Sequence, residues 1–496
     1  MIDDGTPPGL TESPLRESLA RRSLFTFALQ VVLRLRGFIV VPVLTRVLTP
    51  GELGVISLGS ALAAGLTPLL LLGMHTGLSL QLVRLEGARV RPALLSVFAF
   101  SFVYAVALTA ILLGAASTGI FGPGFAPVLP VLVPVGIFAV GLALREVSLV
   151  LPLVRQKLRF ISRISLFMDF GGLVASLALV SSFGAWGVLL GVGSLSLIGG
   201  LIAIGYSLAV TEGEWTVDME FLRATMQTAL PVVPLAVSLW ALQSSDYFFV
   251  SHFRQAADVA IYGLAYNLAS PALMAIAALN LTYLPTCIEI LGQGRVAFAR
   301  FMDRSSILFA VGGVAAVAFA TAAGPSFAAW FGGPLYRESG RLLPIVVAAY
   351  VFFSLSQLQQ FIPGAMSRDM SASARAHVWA ASLNLAANLV VVPRFGLWGA
   401  AWSTLGAYAL ALVLLSRSIR QEFGELAWPR QAGRLGALAL VSTGAACLLQ
   451  GAAGNVLVGL LFGCLAAALA IGLAFAGRLV RREDLAFVRP SGLDRR

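Results

Sequence analysis

Lysine is nearly missing from this chain: Lys157 is its single copy, and every other basic side chain is an arginine. With no Gly-x-x-x-x-Gly-Lys-Ser/Thr stretch there is no phosphate-cradling loop, which excludes a nucleotide-driven motor of that type within the chain. Cysteine is scarce as well. Cys287, Cys447 and Cys464 are odd in number and lack metal-ligand spacing, so they read as small apolar fillers. Charged residues make up only 11% of the sequence, and no exposed basic domain of the kind that binds nucleic acid stands out. Clustered acids or histidines on a large outer loop are missing too, which argues against an enzyme. A membrane-embedded enzyme such as a polysaccharide polymerase or ligase needs those groups and is disfavoured by their absence.

What fills the chain instead is apolar sequence, 58% of 496 residues, with a mean hydropathy of +0.89. That is a polytopic membrane protein. We expect an all-α fold of fourteen transmembrane helices, punctuated by Thr49-Pro50-Gly51, by Phe121 to Gly124, by Gly332-Gly333-Pro334 and by Gly451 to Gly454. With the N-terminus inside, the outer loops hold only Arg46, Arg254, Arg337, Arg341 and Arg394. This bias puts both termini in the cytoplasm, and it makes the net charge of +11 a topology signature.

Phe183-Gly184-Ala185-Trp186-Gly187 recurs as Phe395-Gly396-Leu397-Trp398-Gly399, 212 residues on, and Glu52-Leu53-Gly54-Val55 aligns with Asp258-Val259-Ala260-Ile261 at an offset of 206. Two matches in the same order predict two six-helix parallel repeats, N and C lobes, with two extra C-terminal helices appended. The expected organisation is a cytoplasmic tail over 1–22, an N-lobe over 23–210 and a cytoplasmic linker over 211–225. A C-lobe over 226–417, a cytoplasmic loop over 418–434, the last two spans over 435–477 and a tail over 478–496 complete it.

The first apolar stretch, 23–45, carries Arg34 and Arg36 near its middle. Arg34 falls about 18 Å past Arg22, more than halfway into a hydrocarbon core roughly 30 Å thick. Each central arginine costs about 2.5 to 3.5 kcal/mol on the insertion scale, nearly cancelling what the apolar residues of the span return. A wet central cavity handling something anionic gives these guanidinium groups a reason; an ion pair inside the bundle is the alternative. Arg145 and Glu146 fall in the fourth span and Asp169 in the fifth. Arg145 and Asp169 are equally far in sequence from Lys157, in the loop between, so an antiparallel hairpin brings them to one depth. The economical expectation is an Arg145–Asp169 pair; the sharper one makes Arg145, Glu146 and Asp169 an ion-coupling or gating group, coupled to a proton or sodium gradient. Trp240, Gln243 and Tyr247 share one helical face, and the repeat sets Trp240 opposite Arg34. Tyr266, Asn267, Gln357, Gln360, Asn384 and Asn388 are further polar residues inside spans, and interhelical hydrogen bonding explains most of them.

Three stretches carry a family resemblance: residues 41 to 54, ending Leu53-Gly54; Asp246-Tyr247-Phe248-Phe249-Val250 followed by Ile261 to Tyr266; and Asn384 through Asn388 with Val392 to Ala401. They resemble the lipid-linked oligosaccharide flippases, the polysaccharide-transporter branch of the multidrug/oligosaccharidyl-lipid/polysaccharide (MOP) exporter superfamily. That resemblance implies a flippase of the bacterial cytoplasmic membrane that moves a polyprenyl-pyrophosphate-linked glycan to the outer leaflet by alternating access. Membrane lipids and a polysaccharide polymerase or glycosyltransferases are its further implied partners, and no cofactor is implied. Arg34 and Arg36 then become the residues for the pyrophosphate, because a guanidinium fork donates paired hydrogen bonds to phosphate oxygens, with Trp240, Gln243 and Tyr247 for the sugar. Asp246, part of the resembling pattern, is expected at an outer gate. A cation-coupled multidrug exporter of the same superfamily is the nearest alternative.

Overall fold

The computed structural model describes residues 32, 37–120, 122–292, 294–367, 371–423 and 428–481. These residues are helical almost throughout and contain no strand. Gly37–Val47 (α1) runs into a capping box in which the Thr49 hydroxyl accepts from the Glu52 amide and the Glu52 carboxylate accepts from the Thr49 amide at 2.9 Å. With Pro50 in the first turn, that box starts Pro50–Leu71 (α2). The apolar sequence runs on past this helix to Met74, but the helix does not. It breaks at Leu72 and Gly73, both left-handed, before Met74–Leu82 (α3) carries His75 on.

Val90–Ser117 (α4), Leu132–Ser148 (α5), Val150–Val154 (α6), Leu158–Leu166 (α7) and Gly172–Ala209 (α8) complete the first half of the chain. Met219–Ala229 (α9), Val233–Phe253 (α10), Ala256–Gly292 (α11), Arg295–Gly332 (α12), Arg337–Ser367 (α13) and Ser371–Phe423 (α14) form the second. Ala432–Gly451 (α15) and Val456–Ala476 (α16) follow and pack on α12. Among the described residues, ten helical stretches are long and apolar enough to cross a membrane, which makes this a multi-pass membrane protein.

Two of those stretches, Leu158–Ala209 and Ala372–Gln421, are 52 and 50 residues long. Straight, each would reach roughly 75 Å, more than twice a hydrocarbon core of about 30 Å. Both fold back on themselves instead, at Gly184 (φ 53°, ψ −135°) and Gly396 (φ 56°, ψ −131°), the matching glycines of the repeated Phe-Gly-x-Trp-Gly motif. A side chain at that backbone geometry is strained whatever space surrounds it. The hairpins then close the same way, with Gly187 against the Leu179 carbonyl and Gly399 against the Val391 carbonyl. The duplication read from sequence is thus present in backbone torsions.

The two halves meet where α2 packs on α10 and α11, and where α3 packs on α9. Leu58, Leu94, Val135 and Leu144 are fully buried in the first half, and Tyr262, Tyr408, Leu342 and Val346 in the second. The connection between halves is gripped rather than loose. Arg91, at the start of α4, donates to the carbonyls of Leu208 (3.2 Å), Gly213 (2.7 Å) and Thr211, and its guanidinium lies 5.1 Å from the centre of the Trp215 ring. Part of the segment expected as a linker is helical from Met219, because Asp218 caps α9 by accepting from the Phe221 amide at 2.9 Å.

Candidate functional site

The most concentrated polar structure among the described residues of the bundle is built on Asp246, in the C-terminal half of α10 and only 1% exposed. The Tyr262 hydroxyl of α11 donates to one carboxylate oxygen at 2.6 Å, and the Thr404 hydroxyl donates to the same oxygen. Asn388 donates its amide to the other oxygen at 2.6 Å. The shell around these donors is closed too. Ser403 donates to the Asn388 carbonyl oxygen, Asn384 donates to Thr404 at 3.3 Å, and Ser245 donates to Asn384 at 3.1 Å. The Tyr266 hydroxyl is 2.9 Å from that of Tyr262, whose one proton is committed to Asp246, so Tyr266 is the donor of that pair. Tyr408 fixes the hairpin to α10 by donating to the Leu242 carbonyl at 3.1 Å.

No arginine, lysine or histidine among the described residues forms an ion pair with Asp246. A bare carboxylate sealed from water is costly, so the group is held by its hydrogen-bond donors and requires a proton or a small cation to balance its charge. Among the described residues no cluster of three or more His, Cys, Asp or Glu could hold a transition metal. Asp246 is surrounded instead by two hydroxyls and the Asn388 amide, all three donating to it, and the Asn384 and Asn388 carbonyl oxygens accept from Ser245 and Ser403 around them.

The polar set is the property of one hairpin only. At the offset of 212 residues, Asn384, Asn388, Ser403 and Thr404 correspond to Gly172, Ser176, Gly191 and Val192 of α8. There the contact between arms is retained while the polarity is not: Ser176 donates to the Val188 carbonyl at 2.8 Å, and no carboxylate joins it.

The other expected site residues fall as follows. Arg34 and Arg36 lie outside the described residues. Arg145 meets Asp169 in a bidentate pair, 3.2 and 2.8 Å, with Asp169 carried on the π-turn Phe167–Gly171 between α7 and α8. Glu146 points to the exposed side and is close enough to act on the charge of His75. Trp240 is engaged in the seam between halves: its indole N–H donates to the Ala61 carbonyl at 3.1 Å, and the ring lies over Gly65 of α2 so closely that a Cβ there would come within 2.3 Å of it. Gln243 is exposed, and Tyr247 sets its ring edge-on to Tyr262 at 5.5 Å. The expected common face of Trp240, Gln243 and Tyr247 is therefore split between a packing contact, an open position and the rim of the Asp246 site. Tyr262, Ser403 and Thr404 were not singled out from sequence. Their signal was present, as a hydroxyl four residues before Tyr266 and two hydroxyls just after the second Phe-Gly-x-Trp-Gly motif.

A duplicated, multi-pass helical bundle with a sealed ionisable site in one of its two copies is the class of protein that fold and site define. Residues 43–295 match the family described as polysaccharide biosynthesis protein, and the chain belongs to that family. Among solved structures, its fold is similar to that of lipid II flippase MurJ in an inward closed conformation, at 12% identity and a TM-score of 0.70 over 92% of this chain and 100% of that one. It is also similar to an inward-facing multidrug resistance MATE family transporter of the MOP superfamily, at 15% identity and a TM-score of 0.62 over 84% and 95% of the two chains. No curated protein matches by sequence.

Proposed function

We propose that this protein is a flippase that carries a polyprenyl-pyrophosphate-linked oligosaccharide from the cytoplasmic to the outer leaflet of a bacterial cytoplasmic membrane, both termini being cytoplasmic. The two halves are the rocking lobes, and Asp246 is the site where a proton or sodium ion biases their equilibrium. The observation that carries the choice of cargo is the pair of arginines, Arg34 and Arg36, in the middle of the first span of a chain of the polysaccharide biosynthesis family. Guanidinium groups encoded in the middle of so apolar a stretch suit a diphosphate and repel a cationic drug. Asp246 supports the coupling half of the proposal. It binds elements from α10, α11 and both arms of α14, so a change in its charge alters contacts that hold the second half together.

Transport assays on reconstituted vesicles test this reading. Protein loaded with a fluorescent polyprenyl-pyrophosphate sugar is expected to move it between leaflets, with the rate set by an imposed sodium or proton gradient, and Arg34→Ala and Asp246→Asn to abolish the movement. A carboxylate without a cationic partner also suits a cation-coupled multidrug exporter, so a cationic dye is offered beside the glycolipid. Transport of the dye alone overturns the flippase reading in favour of that one.

A further inference from the structure

At the membrane face remote from the Arg91 clamp, a cleft of about 270 Å³ opens between α12, α13 and the appended α15. Arg337 and Arg341 line it, four residues apart and so on one face of α13, together with Ser326 of α12 and Cys447 and Gln450 of α15. We propose that this cleft is a binding site for a phosphate group carrying more than one negative charge, a phosphomonoester or diphosphate.

Three observations carry this. First, neither guanidinium is engaged: among the described residues no carboxylate, that of the adjacent Glu338 included, pairs with Arg337 or Arg341. Two unpaired cations held side by side repel each other, and an anion between them removes that cost. Second, their position runs against the charge pattern of the chain. The outer side holds few arginines, and two of those few converge on one cleft. Third, the chemistry of the lining suits phosphate: two forks that each donate paired hydrogen bonds, the Gln450 amide beside them, and a space that water at ~30 Å³ per molecule would fill with about nine molecules. Ala322, Pro325 and Ala453 complete the wall with apolar surface, as a pocket at the headgroup level requires.

The phosphate is either that of a lipid in the outer leaflet or a free ion. On the reading proposed above, from which this site takes its meaning for transport, it is where the diphosphate of a delivered glycolipid rests before release. The test below measures binding without transport, so the two can fail separately.

Cys447 lies in the lining and is exposed, Cys287 is buried, and Cys464 is the other exposed thiol. Replacing Cys464 with Ser leaves Cys447 as the reporter. Its labelling by a membrane-impermeant maleimide is followed in three settings: phosphatidylcholine vesicles, the same vesicles with phosphatidic acid, and phosphatidylcholine vesicles with inorganic pyrophosphate outside. At an occupancy of about nine-tenths, labelling slows about tenfold by mass action. Slowing by phosphatidic acid identifies a lipid as the source, and slowing by pyrophosphate alone identifies a free ion. The protection is expected to disappear in Arg337→Gln/Arg341→Gln and to weaken in the unsubstituted arginine background as salt is raised, a measurement that does not depend on the variant folding. Equal labelling in all three settings, or protection indifferent to both salt and the two arginines, overturns the proposal.

Discussion

Gly184 and Gly396 make a paired experiment, because the same torsions occur twice in one molecule with different surroundings. Each is replaced by alanine. At Gly184 the new Cβ would lie 3.0 Å from a Glu52 carboxylate oxygen, and at Gly396 3.0 Å from the Arg254 Nε. Both neighbours are ends of flexible side chains that need give only a few tenths of an ångström, so Glu52 stays in its capping box and what remains is backbone strain. With φ of 53° and 56° and ψ of −135° and −131°, the strain is the same at both sites, about 1 to 3 kcal/mol. Melting of the purified protein is expected to fall by about 2 to 5 °C in each variant, and equally. Transport is expected to separate them. The turn at Gly396 sets the arm with Ser403 and Thr404 against the arm with Asn384 and Asn388, and a shift of about 1 Å in such a constellation can cost a hundredfold. Gly396→Ala should therefore lose most gradient-driven transport while Gly184→Ala retains it. Unequal melting would refute the claim that the two hairpins are one structure built twice; equal transport would refute the assignment of function to the second.

Asp246→Asn keeps the size of the side chain and lets the Tyr262 and Thr404 hydroxyls rotate to suit it, so melting should hold while dependence on the ion gradient vanishes; a variant that still follows the gradient removes Asp246 from coupling. Arg145→Leu or Asp169→Leu alone leaves a charge inside the bundle and should cost about 3 to 5 kcal/mol, whereas the double substitution should recover most of that, as measured by a double-mutant cycle in chemical unfolding. Arg91→Ala removes three bonds to carbonyls of the connection between halves, and brief proteolysis should then cut within 211–217 at least about tenfold faster, with no change expected if the clamp were idle.

The helical spans, the duplication and the Arg145–Asp169 pair were legible in sequence because each rests on a local count: hydropathy over a window, a repeated pentapeptide, equal distances from Lys157. The Asp246 site was only half legible. Asp246, Asn384 and Asn388 stand out as polar residues in apolar spans, yet their partnership joins positions 142 and 158 residues apart, and no periodicity encodes which span lies beside which. Trp240 shows the opposite failure. The repeat offset sets it opposite Arg34, but a helical wheel does not say that a glycine on α2 leaves room for an indole, and that vacancy decides where the ring goes. The break after Leu71 was missed for a similar reason, since one left-handed leucine beside Gly73 leaves no mark in a hydropathy window.

The contrast between the hairpins explains how such a site can exist at all. Buried polar networks are hazardous when incomplete, because each unsatisfied group costs about 1 to 3 kcal/mol. In α8 the arms touch through glycine, serine and valine, and the one hydroxyl is satisfied by a backbone carbonyl across the hairpin. That is a packing solution tolerant of substitution. In α14 the same four places hold two carboxamides and two hydroxyls, which satisfy one another in a chain from Ser403 through Asn388 and Asn384 to Thr404 and leave donors of Asn388 and Thr404 over to close the ring on one external acceptor, the Asp246 carboxylate. Deleting any one member strands its partner, so the members are expected to be coupled energetically by more than the sum of single bonds. Thr404→Val with Asn384→Leu is the sharpest test: each alone should destabilise the protein, and the pair should cost less than the two added together, because the second loss removes the amide donor that the first had already stranded. Strict additivity in chemical unfolding would mean that the ring is a set of independent contacts, and Asp246 would then have no cooperative shell through which a bound ion could reach the helices around it.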